Sequence, residues 1–463
     1  MNPPDPPHPG PNSPYPGPGP MLRRGPRPLA LHLSLAMLRS SVSWAASPLW
    51  KSGLPPMNAP GAPNPLLQNP VFQTVAAAMA AMAVPPPPSG AANPPGADAA
   101  PDFAAFAAAL QSEITTQDAA LLAGIAAYRR HPYRRNPTEP APFWQEGGST
   151  LHDYAPGGAG LPVLFVPSLV NRAYILDLAP GHSLLRYLVE AGLRPLLLDW
   201  GWPGEVERSF TMTDYVAGRL NRAMAAAAAQ AGGKLVLAGY CMGGTLAVAA
   251  AGLRPDLLRA LVLLAAPWDF HAGDAERAGQ VAASLPLMEP ALAFSQTLPV
   301  DLLQALFALM DPFGVGEKYR AFAGLDHASP RAALFVALED WLNDGVPLSA
   351  PVARECLGGW YGANSPAGGR WRIAGLPVDP GAVAMPCFVA APGRDRIVPP
   401  ASARPLASLI PGAVLHEPSA GHIGMVAGSG AEAALWRPLR DWLGTLAAAS
   451  GAPRQGKGRR KNG

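Results

Sequence analysis

The stretch from Lys234 to Gly252, KLVLAGYCMGGTLAVAAAG, constrains the fold of this chain more than any other. A short apolar run enters a glycine, a cysteine stands among small residues, and an alanine-rich pattern of helical period follows. This is the grammar of a buried strand, a sharp turn and a helix. Gly239, Gly243 and Gly244 predict a turn so tight that neighbouring side chains would clash, with strain concentrated at the central residue. That residue is Cys241. At a helix N-terminus the dipole and free N–H groups favour a thiolate, and the Met242 amide points to where an oxyanion would form. The other two cysteines, Cys356 and Cys387, read as structural thiols. Three widely spaced cysteines give neither a disulfide framework nor a CxxC metal site, and a reducing cytoplasm is the natural compartment.

The surrounding sequence predicts an α/β fold. PVLFVPSL (162–169), RPLLLDWG (194–201), KLVLAGY (234–240), LVLLAAPW (261–268), PCFVAAPG (386–393) and AVLHEP (413–418) are short apolar runs ending in turn residues. Helical patterns lie between most of them. Near-continuous apolar strands alternating with helices imply a mostly parallel sheet with helices on both faces. A mostly helical insertion, about 269–379, interrupts the alternation and is read as a cap over the site. Within it Ser329 caps a helix, Pro330 occupies its first turn and Gly345 stops it. An amphipathic helix from Phe103 to Tyr128 leads into the domain, which is placed at 101–450.

Outside that domain the composition changes. Residues 1–100 carry 25 of the 57 prolines, and such a segment buries too little apolar surface to offset the entropy of ordering it. It is expected to be mostly disordered, with one weak helix where Asn69 caps and Val71, Val75, Met79 and Met82 share a face. MLRRGPRPLALHLSLAMLRSSVSWAAS, from Met21, imitates a targeting signal, but His32, Ser34 and Arg39 interrupt its apolar run. Residues 451–463 read as a basic, solvated tail. A net charge of +3 over 463 residues, with no basic stripe interleaved with aromatics, excludes a nucleic-acid partner. No apolar run is long enough for a membrane span.

The pattern G-x-C-x-G between strand and helix is similar to the nucleophile elbow of α/β-hydrolase folds. That fold orders its catalytic groups as nucleophile, acid, histidine. The acid belongs after the penultimate strand, where AAPGRDRIVPP offers Asp395; Asp379 precedes that strand and is the weaker choice. Of the nine histidines only His416 and His422 follow Asp395. His416 falls inside a strand, whereas His422 lies on the small-residue loop PSAGHIGMV just beyond it. Cys241, Asp395 and His422 are therefore the expected catalytic set.

GYCMGGT alone resembles two cysteine-using families of this fold, the polyhydroxyalkanoate synthases and the dienelactone hydrolases. The stretch VPSLVNRAYILDLAPGHSLLRYLVEAGLRPLLLDWGWPG decides between them. Asn171, Arg172, Tyr174, Ile175, Leu176, Asp177, Leu178, Pro180, Ser183, Leu184 and Arg186, followed by Asp199, Trp200 and Pro203, resemble the synthases' pattern. TMTDYVAGRLNRAM, APWDFH and AGHIGMV are also similar to synthase segments, and the resemblance spans roughly 120–445. It implies a cytoplasmic cysteine acyltransferase, at the surface of a polymer granule, that polymerises 3-hydroxyacyl-coenzyme A. In that reading Cys241 is the nucleophile, His422 the base and Asp395 its partner. The amides of Met242 and Val170 are the oxyanion donors, and coenzyme A enters as the substrate's thioester, with no separate cofactor or metal. No Walker-type loop is present, so arginines at the cap rim would hold the coenzyme A phosphates. A homodimer or an accessory synthase subunit is the partner such a chain would have. Two departures stand out: Arg396 occupies a position where the synthases usually carry histidine, and the proline-rich leader matches neither synthase type. A cysteine hydrolase with the same triad, or a granule-associated scaffold, is the alternative.

Overall fold

A computed structural model describes residues 23–46, 103–136 and 138–450. They fall into two compact units, one holding residues 33–120, the other holding the residues up to His32 and from Leu121 onward. The first unit contributes parts of the helices Leu29–Ala46 and Phe103–Arg130, and within it the Ser40 hydroxyl donates to the Asp118 carboxylate at 3.2 Å. The expected helix around residues 69–82 lies outside the described residues. The second unit carries the sheet.

Eight strands build that sheet: β1 Pro142–Glu146, β2 Ser149–Asp153, β3 Pro162–Val166, β4 Arg194–Asp199, β5 Leu235–Tyr240, β6 Leu258–Leu264, β7 Cys387–Ala390 and β8 Val414–His416. Their order is β1-β2-β4-β3-β5-β6-β7-β8. From β4 to β8 every neighbouring pair is parallel, while the β1–β2 hairpin is antiparallel and joins β4 antiparallel. The six sequence-predicted strands are β3 to β8. The edge hairpin was not anticipated, because PFWQE and STLHD are too polar to read as buried strands. Its turn falls at Gly147, whose φ of +55° suits glycine.

Burial explains why the central strands are nearly continuous apolar runs. Alternate residues face two separate cores. Leu164, Val166, Leu235, Leu237, Leu261 and Leu263 pack on one face, covered by the helices Asn221–Ala231 and Met242–Leu253. Val163, Phe165, Val236, Ala238, Val262 and Leu264 pack on the other, against the helix Leu184–Glu190 and Leu439 and Leu443 of the final helix.

The insertion between β6 and β7 is mostly helical, as expected, and carries helices at Ala275–Ala283, Leu285–Ser295, Val300–Met310, Gly314–Ala323 and Pro330–Asn343. Ser329 caps the last of these, its hydroxyl accepting from the Ala332 amide at 3.2 Å. That helix ends at Asn343 with Asp344 as its cap. Gly345 is instead a close-packing residue: it bridges Asn171 of the sheet domain, and a Cβ there would meet Val300 at 2.7 Å.

One finding departs from the composition-based reading of residues 1–100. Residues 23–46 form a short turn and a helix, and Arg23 is buried, with its guanidinium on the Asp340 carboxylate of the insertion. Proline content could not reveal this, because ordering comes from a partner 317 residues away. Among the described residues no helix is long and apolar enough to cross a membrane.

Candidate active site

Cys241 stands between β5 and the helix Met242–Leu253, with φ +56° and ψ −131°. Only severe local constraint holds a non-glycine residue there. Its amide donates to the Leu264 carbonyl at 2.8 Å, pinning the turn to β6. The glycines permit the turn by close approach: a Cβ on Gly243 would lie 2.1 Å from the Val166 carbonyl oxygen, and one on Gly239 2.4 Å from that of Gly243. Met242 is the first residue of the helix, so its N–H has no acceptor inside it.

The loops after β7 and β8 bring the acid and the histidine to the same end of the sheet. His422 Nδ1 and Asp395 Oδ2 are 2.7 Å apart, and both residues are buried. The other carboxylate oxygen of Asp395 accepts from the amides of Ile397 and Val398, each at 2.8 Å. Both carboxylate oxygens of Asp395 are thus hydrogen-bonded and its position is fixed. With Nδ1 committed to it, Nε2 is the nitrogen left for Cys241, and both Cys241 and His422 line one cavity. Burial alone would push the His422 pKa down. The negative charges of Cys241 and Asp395 and the hydrogen bonds to both outweigh it, and the pKa is raised to about 10.

The structure separates the competing candidates. His416 lies in β8, its Nε2 2.6 Å from the Ala434 carbonyl. Asp379 caps a short turn by accepting from Gly381. Tyr240 was missed in the sequence because it reads as a strand residue. Its ring lies 5.1 Å from that of His422 at 32°, and its hydroxyl donates to the His422 carbonyl at 3.3 Å, fixing the histidine loop.

Two cavities meet at Cys241. The larger, about 380 Å³, is walled by Phe270, Leu303, Phe307, Leu357 and Trp360 and also reaches Arg277 and Arg396. The smaller, about 90 Å³, lies against Asn171, Gln304, Trp341 and His422. Most of these wall residues come from the insertion, so the insertion does cover the site. The APWDFH segment is held to it by Asn364, which accepts from the Phe270 amide and donates to Asp269. Val170 lines both cavities; its N–H meets Ser168 Oγ at 3.4 Å. Cys356 also lines the larger cavity, which sequence spacing gave no means of seeing. Burial pushes its thiol pKa well up, and that of Cys387 to about 12. Arg396 extends into solvent and pairs with Asp311 of the insertion at 3.1 Å.

Comparison with known proteins agrees with this architecture. Residues 162–428 match the alpha/beta hydrolase fold family. The poly(3-hydroxyalkanoate) polymerase subunit PhaC of Synechocystis is 30% identical over 295 residues, which are 61% of this chain and 77% of the relative. The chain belongs to the poly(3-hydroxyalkanoate) polymerase family. The polymerase subunit of Haloferax mediterranei is 32% identical over 290 residues, 61% of this chain and 58% of the relative. That of Allochromatium vinosum is 28% identical, covering 62% and 82%. The chain therefore spans somewhat over half the length of the Haloferax polymerase. Family membership accords with the resemblance carried by Asn171 to Pro203 and leaves the roles of individual residues to be argued from the site.

Proposed function

We propose that this polymerase-family chain is a cysteine acyltransferase that extends polyhydroxyalkanoate from 3-hydroxyacyl-coenzyme A. The observation that carries the reading is Cys241 at a strained turn, facing a histidine already aligned by a fully bonded aspartate, inside a mostly apolar pair of cavities.

The chemistry follows from the charges. Cys241 thiolate attacks the thioester carbonyl; the carbonyl oxygen becomes an oxyanion, held by the Met242 amide and by that of Val170. The 3.4 Å contact of Val170 with Ser168 is too long to compete with an oxyanion at about 2.9 Å. The carbon–sulfur bond to coenzyme A breaks, and the departing sulfur takes the proton of His422. One thioester is exchanged for another, so the acyl group stays activated. Acylation also removes the negative charge of Cys241, a main support of the raised His422 pKa. The histidine, now neutral and weakened as a cation by burial, accepts the proton of an incoming 3-hydroxyl group as that oxygen attacks the acyl-Cys241 carbonyl. An ester forms, Cys241 leaves as thiolate, and the resting pair is restored. Asp395 orients the ring through both steps. The apolar walls of the larger cavity keep water from competing.

Alkylation tests the nucleophile. Limiting iodoacetamide near neutral pH labels Cys241 ahead of Cys356 and Cys387, whose thiols burial keeps protonated. Coenzyme A release falls in step with Cys241 labelling, followed by peptide mass spectrometry. Full activity with Cys241 alkylated would refute the assignment.

A further inference from the structure

The segment before the helix Leu29–Ala46 reaches the insertion at a point that matters for the cavity. Arg23 is buried and grips Asp340 with both arms of its guanidinium, Nε on Oδ1 at 2.7 Å and Nη2 on Oδ2 at 2.6 Å. Its remaining donors reach the carbonyls of His131 and Tyr133, both at 2.5 Å, and the guanidinium lies 5.7 Å from the Tyr128 ring centroid. The fully buried Tyr128 donates its hydroxyl to Asp340 as well, at 2.8 Å. Four residues on, Arg27 pairs with Asp301 at 2.6 Å and donates to the Asn343 carbonyl at 3.2 Å.

The two ion pairs fall on two helices of the insertion, and both helices wall the site. Asp301 belongs to Val300–Met310, which gives Leu303 and Phe307 to the larger cavity and Gln304 to the smaller. Asp340 belongs to Pro330–Asn343, where the next residue, Trp341, lines the smaller cavity and donates its indole N–H to the Arg172 carbonyl at 2.8 Å. Gln304 ties the helices together by donating to the Leu342 carbonyl at 2.9 Å. A bidentate Arg–carboxylate pair in a buried setting has little angular freedom, and loss of one partner strands the other charge. The Arg27 pair is exposed and adds little.

We infer that Arg23 is a positioning residue for the acyl-binding cavity: it fixes the helices Val300–Met310 and Pro330–Asn343 around Cys241 without touching the substrate. The kinetic side of this inference rests on the acyl-transfer reading; the structural side does not.

The test uses the full chain carrying Arg23→Ala, Arg23→Lys, or Arg23→Ala with Asp340→Asn. Hydrogen exchange is read by peptide, and coenzyme A release from 3-hydroxybutyryl-coenzyme A by KM and kcat. For Arg23→Ala, exchange in 300–310 and 330–343 accelerates about tenfold or more while β3 and β5 stay protected, and KM rises about tenfold with a smaller change in kcat. Arg23→Lys recovers part of both, since it keeps the charge and loses the fork. The double variant leaves no stranded carboxylate, so its melting temperature returns toward wild type while the fast exchange and the raised KM persist. If Arg23→Ala does not fold, the double variant carries the test alone. Unchanged exchange in these helices, or recovery of KM together with melting temperature in the double variant, would overturn the inference. If the wild type releases no coenzyme A, the acyl-transfer reading fails, and the exchange data still decide the clamp.

Discussion

Replacing Cys241 with alanine is expected to lower coenzyme A release by about 10⁴-fold or more, the scale seen when a covalent nucleophile is removed from a triad that acts as a unit. Alanine fits the turn without a new clash, because the glycine contacts that shape it remain. The backbone strain at φ +56° stays much as it was, so the melting temperature should move by only a few degrees. Cys241→Ser is expected to be nearly as inactive. Its hydroxyl would have to be deprotonated by His422 at every turnover, and the resulting oxygen ester is a poorer acyl donor than a thioester. Cys356→Ala provides the contrast. Cys356 shares the cavity wall but has no histidine partner among the described residues, and burial keeps it protonated, so most activity should survive. Steady-state coenzyme A release measures all three. Substantial turnover by Cys241→Ala would move the nucleophile elsewhere.

His422→Gln is expected to split the reaction. Glutamine keeps a polar group in the pocket but cannot hold and return a proton. Acylation slows, because the departing coenzyme A loses its proton donor, and elongation falls by a further factor of about 10²–10⁴, the usual worth of a positioned base. A single-turnover experiment therefore accumulates acyl-Cys241, detectable by intact mass, where the wild type does not. The same variant reports on charge. The folded-state pKa of His422 lies near 10 against an ordinary 6.5, so its protonation stabilises the fold fully below pH 6.5 and decreasingly as pH rises through about 10. The melting-temperature advantage of wild type over His422→Gln should shrink across that window. An advantage that grows from pH 6.5 to 10 would contradict the assigned charge state.

Much of the site was legible because its signals are local. The turn around Cys241 needs Gly239, Gly243 and Gly244 for steric reasons that any sequence with that strand–helix junction must satisfy. Chain order then brings Asp395 and His422 forward, and the structure sets them 2.7 Å apart. Five of the six parallel strands, β3 to β7, were visible because both their faces are buried, which makes each a run of apolar residues; the edge strand β8 is largely exposed, and its apolar Val414 and Leu415 alone marked it. What stayed hidden depends on distant partners or on surroundings. The β1–β2 hairpin lies at an edge and carries polar side chains. Gly345 reads as a helix stop but serves close packing against Val300. Tyr240 looks like any strand aromatic until its ring is seen beside His422. Arg23 sits in a proline-rich stretch whose composition argues for disorder, and only its ion pair with Asp340, beside the buried Tyr128, makes its order intelligible. The residue after Asp395, Arg396, shows how context decides: its side chain is exposed at the cavity rim and pairs with Asp311, and the Asp395–His422 contact is intact beside it.

In the proposed reaction the acyl group on Cys241 passes to a hydroxyl and not to water. One reaction decides it: wild-type protein with 3-hydroxybutyryl-coenzyme A, with coenzyme A, free 3-hydroxybutyrate and chloroform-soluble polymer quantified together, in the presence and absence of a candidate partner subunit. Polymer in near-stoichiometric yield with the coenzyme A released, and little free acid, is the expected result. Stoichiometric free acid with no polymer under both conditions would make the protein a hydrolase and contradict it.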